Sequence, residues 1–357
     1  MSATEISRKK KIVACWLLFG VFMIMVQVVL GGIVRLTDSG LSMTEWNPIM
    51  GAIPPLNQHD WQEAFQRYQG IAQYKYVNNH FTLPDFKFIF FWEWFHRLWA
   101  RSLSVVFIIP FVYFLLKRYF LKEMVWPLIL LFLLGGLQGF IGWYMVESGL
   151  NGSSLLRVSH IRLAIHFISA LVLLCYTLWF ALKLLIPDEK RVVEKSAKNY
   201  MLLVIVLLTI QLFYGAFMAG LRAALSAPTW PKMNGVWVPA NMFLHNWIND
   251  PVNVQFVHRG IAYTLFILIF FGFFKTWKAG KDAGSSLLKK AAGWPLVLVS
   301  VQVVLGVLTV VESPRILKGH FGIYEIFAQS HQLVAMCLLM ALFVVYYLLR
   351  WTPKQAS

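Results

Sequence analysis

The sequence predicts an all-α membrane protein with eight transmembrane helices, arranged as two pseudo-symmetric four-helix bundles. Three observations carry that reading. Of its 357 residues 59% are hydrophobic and only 13% charged, too little charge to cover a water-facing surface. Eight mostly apolar segments fall at about 12–34, 87–116, 125–146, 160–186, 200–221, 253–274, 294–311 and 326–350. Each can cross most or all of a hydrocarbon core about 30 Å thick. The third observation is an internal repeat that relates the first four segments to the last four.

Charge orders the connections. Arg8, Lys9, Lys10 and Lys11 precede the first span; Lys117, Arg118 and Lys122 follow the second. Lys190, Arg191, Lys195 and Lys198 follow the fourth, Lys275 to Lys290 the sixth, and Arg350 and Lys354 the last. The positive-inside rule places these segments, and both termini, in the cytoplasm of a bacterial cell, in its inner membrane. The net charge of +16 therefore reads as topology. No nucleic-acid motif accompanies it, and the lipid bilayer is the expected surrounding. Met1 to Lys11 lacks a small-residue cleavage site and reads as a retained tail. Cys15, Cys175 and Cys337 all lie in apolar segments, which excludes a disulfide framework or a thiolate metal site. The two long outer connections, about 36–86 and 222–252, are expected to cover a site.

The repeat is specific. Odd-numbered spans carry Q-x-x-x-G: Gln27/Gly31, Gln138/Gly142, Gln211/Gly215 and Gln302/Gly306. Even-numbered spans carry one histidine each: His96, His166, His258 and His331. His96-Arg97 matches His258-Arg259, and His166/Ala170 matches His331/Ala335. Spans three and seven end in V-E-S, at Glu147 and Glu312, read as structural ends. Trp46, Pro48, Met50, Gly51 and Pro54 in the first outer loop echo Trp230, Pro231, Met233, Gly235 and Pro239 in the second. Residues 1–190 and 191–357 are thus expected to be two copies of one unit in the same orientation.

Ionisable side chains inside a membrane are costly, and four at equivalent places point to function. All four histidines are expected roughly two turns past the outer ends of their helices. Each half would then present two imidazoles at one height, neutral in a low dielectric, which is the ligand form. Zinc needs three or four ligands, and each half offers two histidines and no nearby cysteine. Two facing imidazoles suit the axial positions of a heme iron. The glycines admit a flat macrocycle or a neighbouring helix, and the glutamines serve chiefly as interhelical hydrogen-bonding groups. Arg35, Arg97, Arg101, Arg162, Arg222 and Arg259 lie near outer span ends, where they can meet propionates or snorkel to headgroups. Arg97 and Arg259, next to the histidines, are the stronger candidates. His59, His80, His160, His245 and His320 lie in outer loops or at a span edge and read by default as solvated loop residues.

One asymmetry separates the halves. Glu93 lies one turn before His96, where the other half has Gln255 before His258. A carboxylate beside one site suits proton transfer or stabilisation of positive charge; a partner for a nearby arginine is the structural alternative. On these residues an enzyme, a di-heme b-type electron-transfer cytochrome and a histidine proton-relay transporter all stay open.

G-G-I-V-R-L-T-D-S-G-L-S-M (31–43), E-W-N-P-I-M-G-A-I-P-P (45–55), E-W-F-H-R (93–97), the paired H-x-x-x-A and P-T-W-P-K-M-N-G (228–235) together resemble the heme A synthase family. The resemblance covers nearly the whole chain. It implies conversion of heme O to heme A, by oxidising a porphyrin methyl group to formyl, for use in cytochrome oxidase. It implies that His258 and His331 ligate a heme b cofactor, with Arg259 beside it. It implies that His96 and His166 bracket the substrate heme, with Arg97 nearby and Glu93 catalytic. An electron-transfer partner, not identified by the sequence, is implied, and contact with the enzyme that makes heme O is a further expectation. Some bacterial members carry a cysteine pair in the first outer loop; residues 36–86 contain none, so this chain resembles the branch without it.

Overall fold

Each expected span is a single α-helix in the computed structural model, which describes residues 3–45, 50–150, 156–240, 242, 246–316 and 321–352. The spans are α1 (Ala3–Leu36), α4 (Leu83–Leu116), α5 (Lys122–Leu150), α6 (His160–Leu185), α7 (Lys195–Leu221), α8 (Pro251–Asp282), α9 (Ser286–Glu312) and α10 (Ile323–Leu348). Among the described residues these eight are long and apolar enough to cross a membrane. Several run past the apolar core that marked them, because polar caps set the true ends. Thr82 and Asp85 form a capping box that starts α4, and Asp250 accepts from the Val252 and Asn253 amides before Pro251. Large apolar side chains such as Phe22, Ile109, Phe140, Phe271 and Trp294 are exposed on the spans, as a lipid-facing surface requires.

The helices contact one another within the first four spans, within the last four, and between the two sets. In the last four, α7, α8, α9 and α10 each contact two neighbours and close a ring. In the first four, α4 packs on α1, α1 on α6 and α6 on α5, but α4 and α5 make almost no contact. The groups meet through α6 against α7 and α1 against α10. Their shared core holds Val28, Leu174, Leu208, Leu339 and Leu342.

The end that carries the Lys and Arg clusters is tied off by the linker between the groups. Strand β1 (Val192–Val193) pairs in parallel with β2 (Leu349–Arg350). Arg191 donates to the Tyr347 carbonyl at 2.8 Å and Lys198 to the Leu349 carbonyl at 2.7 Å. Two cations thus satisfy the open carbonyls at the C-terminus of α10, where the helix dipole is negative.

The long first outer loop has structure that hydropathy did not reveal. It holds α2 (Gln58–Gln69) and α3 (Ala72–Tyr76), packed against an outward extension of α4. Tyr68, Phe86 and Ile89, all fully buried, centre this cap. The Tyr68 hydroxyl donates to Gln73 Oε1 at 3.1 Å and accepts from Asn78 at 2.8 Å. Burial pushes its phenol above the ordinary range, so it stays neutral and keeps donating. Gln73 then reaches back to the Asp38 carbonyl at the end of α1.

Candidate heme-binding site

The four histidines face one continuous cavity of about 990 Å³ that reaches into both helix groups, near the upper end for small-molecule sites. His166, His258 and His331 lie about two turns past the starts of α6, α8 and α10, as expected. His96 lies nearly four turns into α4, because that helix extends outward into the loop cap.

The Q-x-x-x-G repeat has a direct structural meaning. Each of its glycines backs a histidine on a neighbouring helix. A Cβ on Gly31 would sit 3.3 Å from the His96 ring, on Gly142 2.9 Å from His166, on Gly215 3.5 Å from His258 and on Gly306 2.9 Å from His331. The missing side chains therefore make room for the imidazoles themselves. Three of the glutamines also hold those rings. Gln138 donates to His166 Nδ1 at 3.1 Å and Gln211 to His258 Nε2 at 3.4 Å. Gln302 contacts His331 Nε2 at 3.1 Å, while its backbone carbonyl lies 3.0 Å from Nδ1. A carbonyl can only accept, so Nδ1 carries the proton and Nε2 keeps its lone pair. Gln27 lines the cavity with its Oε1 buried and unpartnered. Interhelical bonding is thus only part of the glutamines' role; orienting imidazole is the rest.

The donor set fits a heme iron. The His258 and His331 ring centroids are 6.4 Å apart. Two imidazole nitrogens about 2 Å from one shared ion would put the ring centres about 6 Å apart. Among the described residues no group of three or more His, Cys, Asp or Glu could hold a bare metal ion. His96 and His166 meet the same cavity from α4 and α6.

The arginines divide into distinct roles. Arg259 donates to the Ala227 and Thr229 carbonyls at 3.0 and 2.8 Å, and its Nη1 is buried without a protein partner. That leaves a guanidinium donor for an anionic substituent such as a propionate. Arg97 is committed to Glu93 at 2.5 Å and to the Met43 and Glu45 carbonyls at 3.4 Å. Arg35 donates to the Ala219 carbonyl of α7. Arg162 does not line the cavity; it stacks over Tyr144 at 3.8 Å and donates to that residue's carbonyl. Arg101 and Arg222 do line the cavity.

Glu93 is 2% exposed and fully engaged. One oxygen accepts from Arg97, and the other from the Ser42 hydroxyl at 2.7 Å and the Met43 amide at 2.8 Å. Gln255 at the equivalent place donates to the Ala227 carbonyl at 2.9 Å. Both side chains therefore pin an outer loop, with opposite hydrogen-bond polarity.

Sequence reading missed Asp38 and Arg157. Asp38 adopts a left-handed backbone (φ 55°) just after α1 and pairs with Arg157 at 3.4 Å and with Arg222 from the other helix group. The T-D-S-G string after an apolar span was the available signal for such a turn. His160 is also not a solvated loop residue: it opens α6, donates to the Ile248 carbonyl at 3.0 Å and packs on Phe217. His59 and His80 are exposed, and His245 and His320, with Trp46 and Pro48 of the loop echo, lie outside the described residues. The V-E-S ends work through their serines. Ser148 accepts from the Ser159 amide, joining the end of α5 to the start of α6, and Ser313 donates to the Ala224 carbonyl, joining the end of α9 to the turn after α7.

The sequence model described as COX15-CtaA, cytochrome oxidase assembly protein, matches residues 14–343. The chain belongs to this family. Several relatives are named heme A synthase. That of Flavobacterium psychrophilum is 40% identical over 321 residues, covering 87% of this chain and 93% of the relative. That of Flavobacterium johnsoniae is 38% identical over 94% of this chain and 97% of its own length. The Agrobacterium fabrum protein is 40% identical over 93% and 88%. Membership of COX15-CtaA agrees with four histidines around one intramembrane cavity and places the chain among multi-pass membrane proteins that handle heme.

Proposed function

We propose that this chain converts heme O to heme A by oxidising a porphyrin methyl group, through the alcohol, to a formyl group. The observation that carries the reading is the pair of histidine sites on one cavity, joined to the name shared by relatives that match over nearly the full chain.

The half formed by residues 191–357 would take a heme b cofactor, held by His258 and His331, with the free Nη1 of Arg259 available to an anionic substituent. Heme b would supply one-electron transfer there. The Gln302 carbonyl holds His331 in the tautomer that can ligate. The half formed by residues 1–190 takes heme O between His96 and His166. Arg97 is held beside it by Glu93, and both fix residues 42–45 of the first outer loop over the site. Glu93 is the catalytic carboxylate, held by three donors and placed to stabilise positive charge or take a proton. Both termini face the cytoplasm of a bacterial cell and the heme sites lie toward the outer side of its inner membrane, an orientation supported by the Lys and Arg clusters.

The deciding experiment is co-expression with a heme O–producing enzyme, followed by extraction and chromatography of the hemes. Heme A appears only when the chain is active. Two bound hemes with heme O left unchanged would instead identify an electron-transfer cytochrome.

A further inference from the structure

The cavity is not the same in the two halves. In the half of α1, α4, α5 and α6 it continues inward past the histidines to Trp16, Leu17, Phe107, Phe132 and Thr177. From Gly142 to Phe132 along α5 that is about 15 Å. In the half of α7 to α10 it stops near Leu208, Leu265, Val299 and Leu338.

Matching the repeats on their Q-x-x-x-G strings and histidines explains the difference. Gly20, Ser104, Gly135 and Gly139 correspond to Val204, Phe266, Val299 and Val303. Val204 and Val299 are buried in the core and Phe266 packs against it, so the second half is filled where the first is empty. A Cβ built on Gly135, Gly136 or Gly139 would meet nothing within 4 Å. These glycines face a slot, because α4 and α5 make almost no contact while α8 and α9 pack closely. The three glycines are exposed, as are Ser104 and Phe132, so the slot opens sideways to lipid. Its inner end is closed by the Phe107–Phe132 stack at 6.3 Å and the Trp16–Phe107 stack at 5.3 Å. Thr177 is satisfied by its own helix, so the walls are apolar apart from the Ser104 hydroxyl.

We propose that this slot between α4 and α5 is the channel that receives the isoprenoid tail of the substrate heme and admits it from the bilayer. The proposal rests on the assignment of the first half to heme O. The occupant must be long, flexible and apolar, continuous with a planar group between His96 and His166, and present in only one half. An isoprenoid chain meets each condition. The filled second half accordingly takes a heme without a tail. Size selection therefore resides in Gly20, Ser104, Gly135 and Gly139, not in the histidines that both halves share.

The test is the double variant Gly135→Val/Gly139→Val, which copies the second half into the first, and separately Ser104→Phe on the facing helix. Each is purified from heme O–producing cells and its hemes are extracted and separated. Unchanged resident heme absorbance reports a folded protein, and the two plugs act from different helices, so either alone suffices. The expected result is retention of tailed heme, heme O plus heme A, lowered roughly tenfold or more, the scale of two buried methylenes, with added tail-less heme b still bound by the first half. Wild type that retains tailed heme beside plugged variants that retain it equally would overturn the channel. Wild type that retains neither heme O nor heme A would overturn the functional assignment itself, and the channel with it.

Discussion

Glu93 and Gln255 occupy the same place in the two repeats, one turn before a cavity histidine, and each holds an outer loop with opposite polarity. Glu93 accepts from Ser42 and Met43; Gln255 donates to Ala227. The swap is matched by the loops, which offer donors in one half and a carbonyl in the other. Anchoring is therefore common to both, and negative charge is particular to the first.

This separates the roles by substitution. Glu93→Gln keeps the side-chain shape and loses the charge, whereas Glu93→Ala also frees the loop. Both are expected to keep the resident heme absorbance and to lower heme A formation by about 10²–10⁴-fold, the range for a lost acid–base group. Product yield at the wild-type level in Glu93→Gln would restrict the residue to anchoring.

The glycines behind the histidines should be intolerant. In Gly306→Val the added side chain begins 2.9 Å from the His331 ring. It displaces the imidazole, and the purified protein is expected to lose its low-spin b-type spectrum. Gly142→Val should instead spare that spectrum and abolish heme O binding. A normal spectrum from Gly306→Val would remove His331 from the ligand set.

Gln302→Leu tests the orientation of His331 without touching the ligand. The contact at Nε2 is lost while the backbone carbonyl stays. The amide meets the nitrogen left free to ligate, while the outer partner at Nδ1 is kept, so heme retention is expected to be unchanged or raised, read by competition of the purified protein with a heme acceptor. Lowered retention would show that the backbone carbonyl alone does not orient the ring.

Asp38 ties the two helix groups through Arg222 and pairs with Arg157 within its own group, and its side chain is 9% exposed. Asp38→Asn leaves both guanidiniums without their counter-charge. Removing one partner of a buried pair costs about 3–5 kcal/mol, so the thermal unfolding midpoint in detergent should fall. Lys198→Ala, at the opposite end of the molecule, should cost about 1.5–3 kcal/mol through the carbonyls it leaves unsatisfied on α10. Equal stability of either variant to wild type would show that the corresponding contact does not stabilise the fold.

Composition and linear pattern were enough for the eight spans, because a bilayer demands long apolar helices wherever they lie. They were enough for the four histidines and their glycines, because the pattern of each recurs at fixed spacing in the two halves of the sequence. The helices of the first outer loop were illegible: α2 is polar overall and gains its stability only from burying Ala64 and Tyr68 on α4. The pairing of Glu93 with Arg97 was readable as an i, i+4 spacing, but its two further donors come from a loop about 50 residues away. The tertiary structure alone decided that α4 and α5 stand apart while α8 and α9 close. Helix separation depends on what the facing side chains fill together, and no single segment contains both faces.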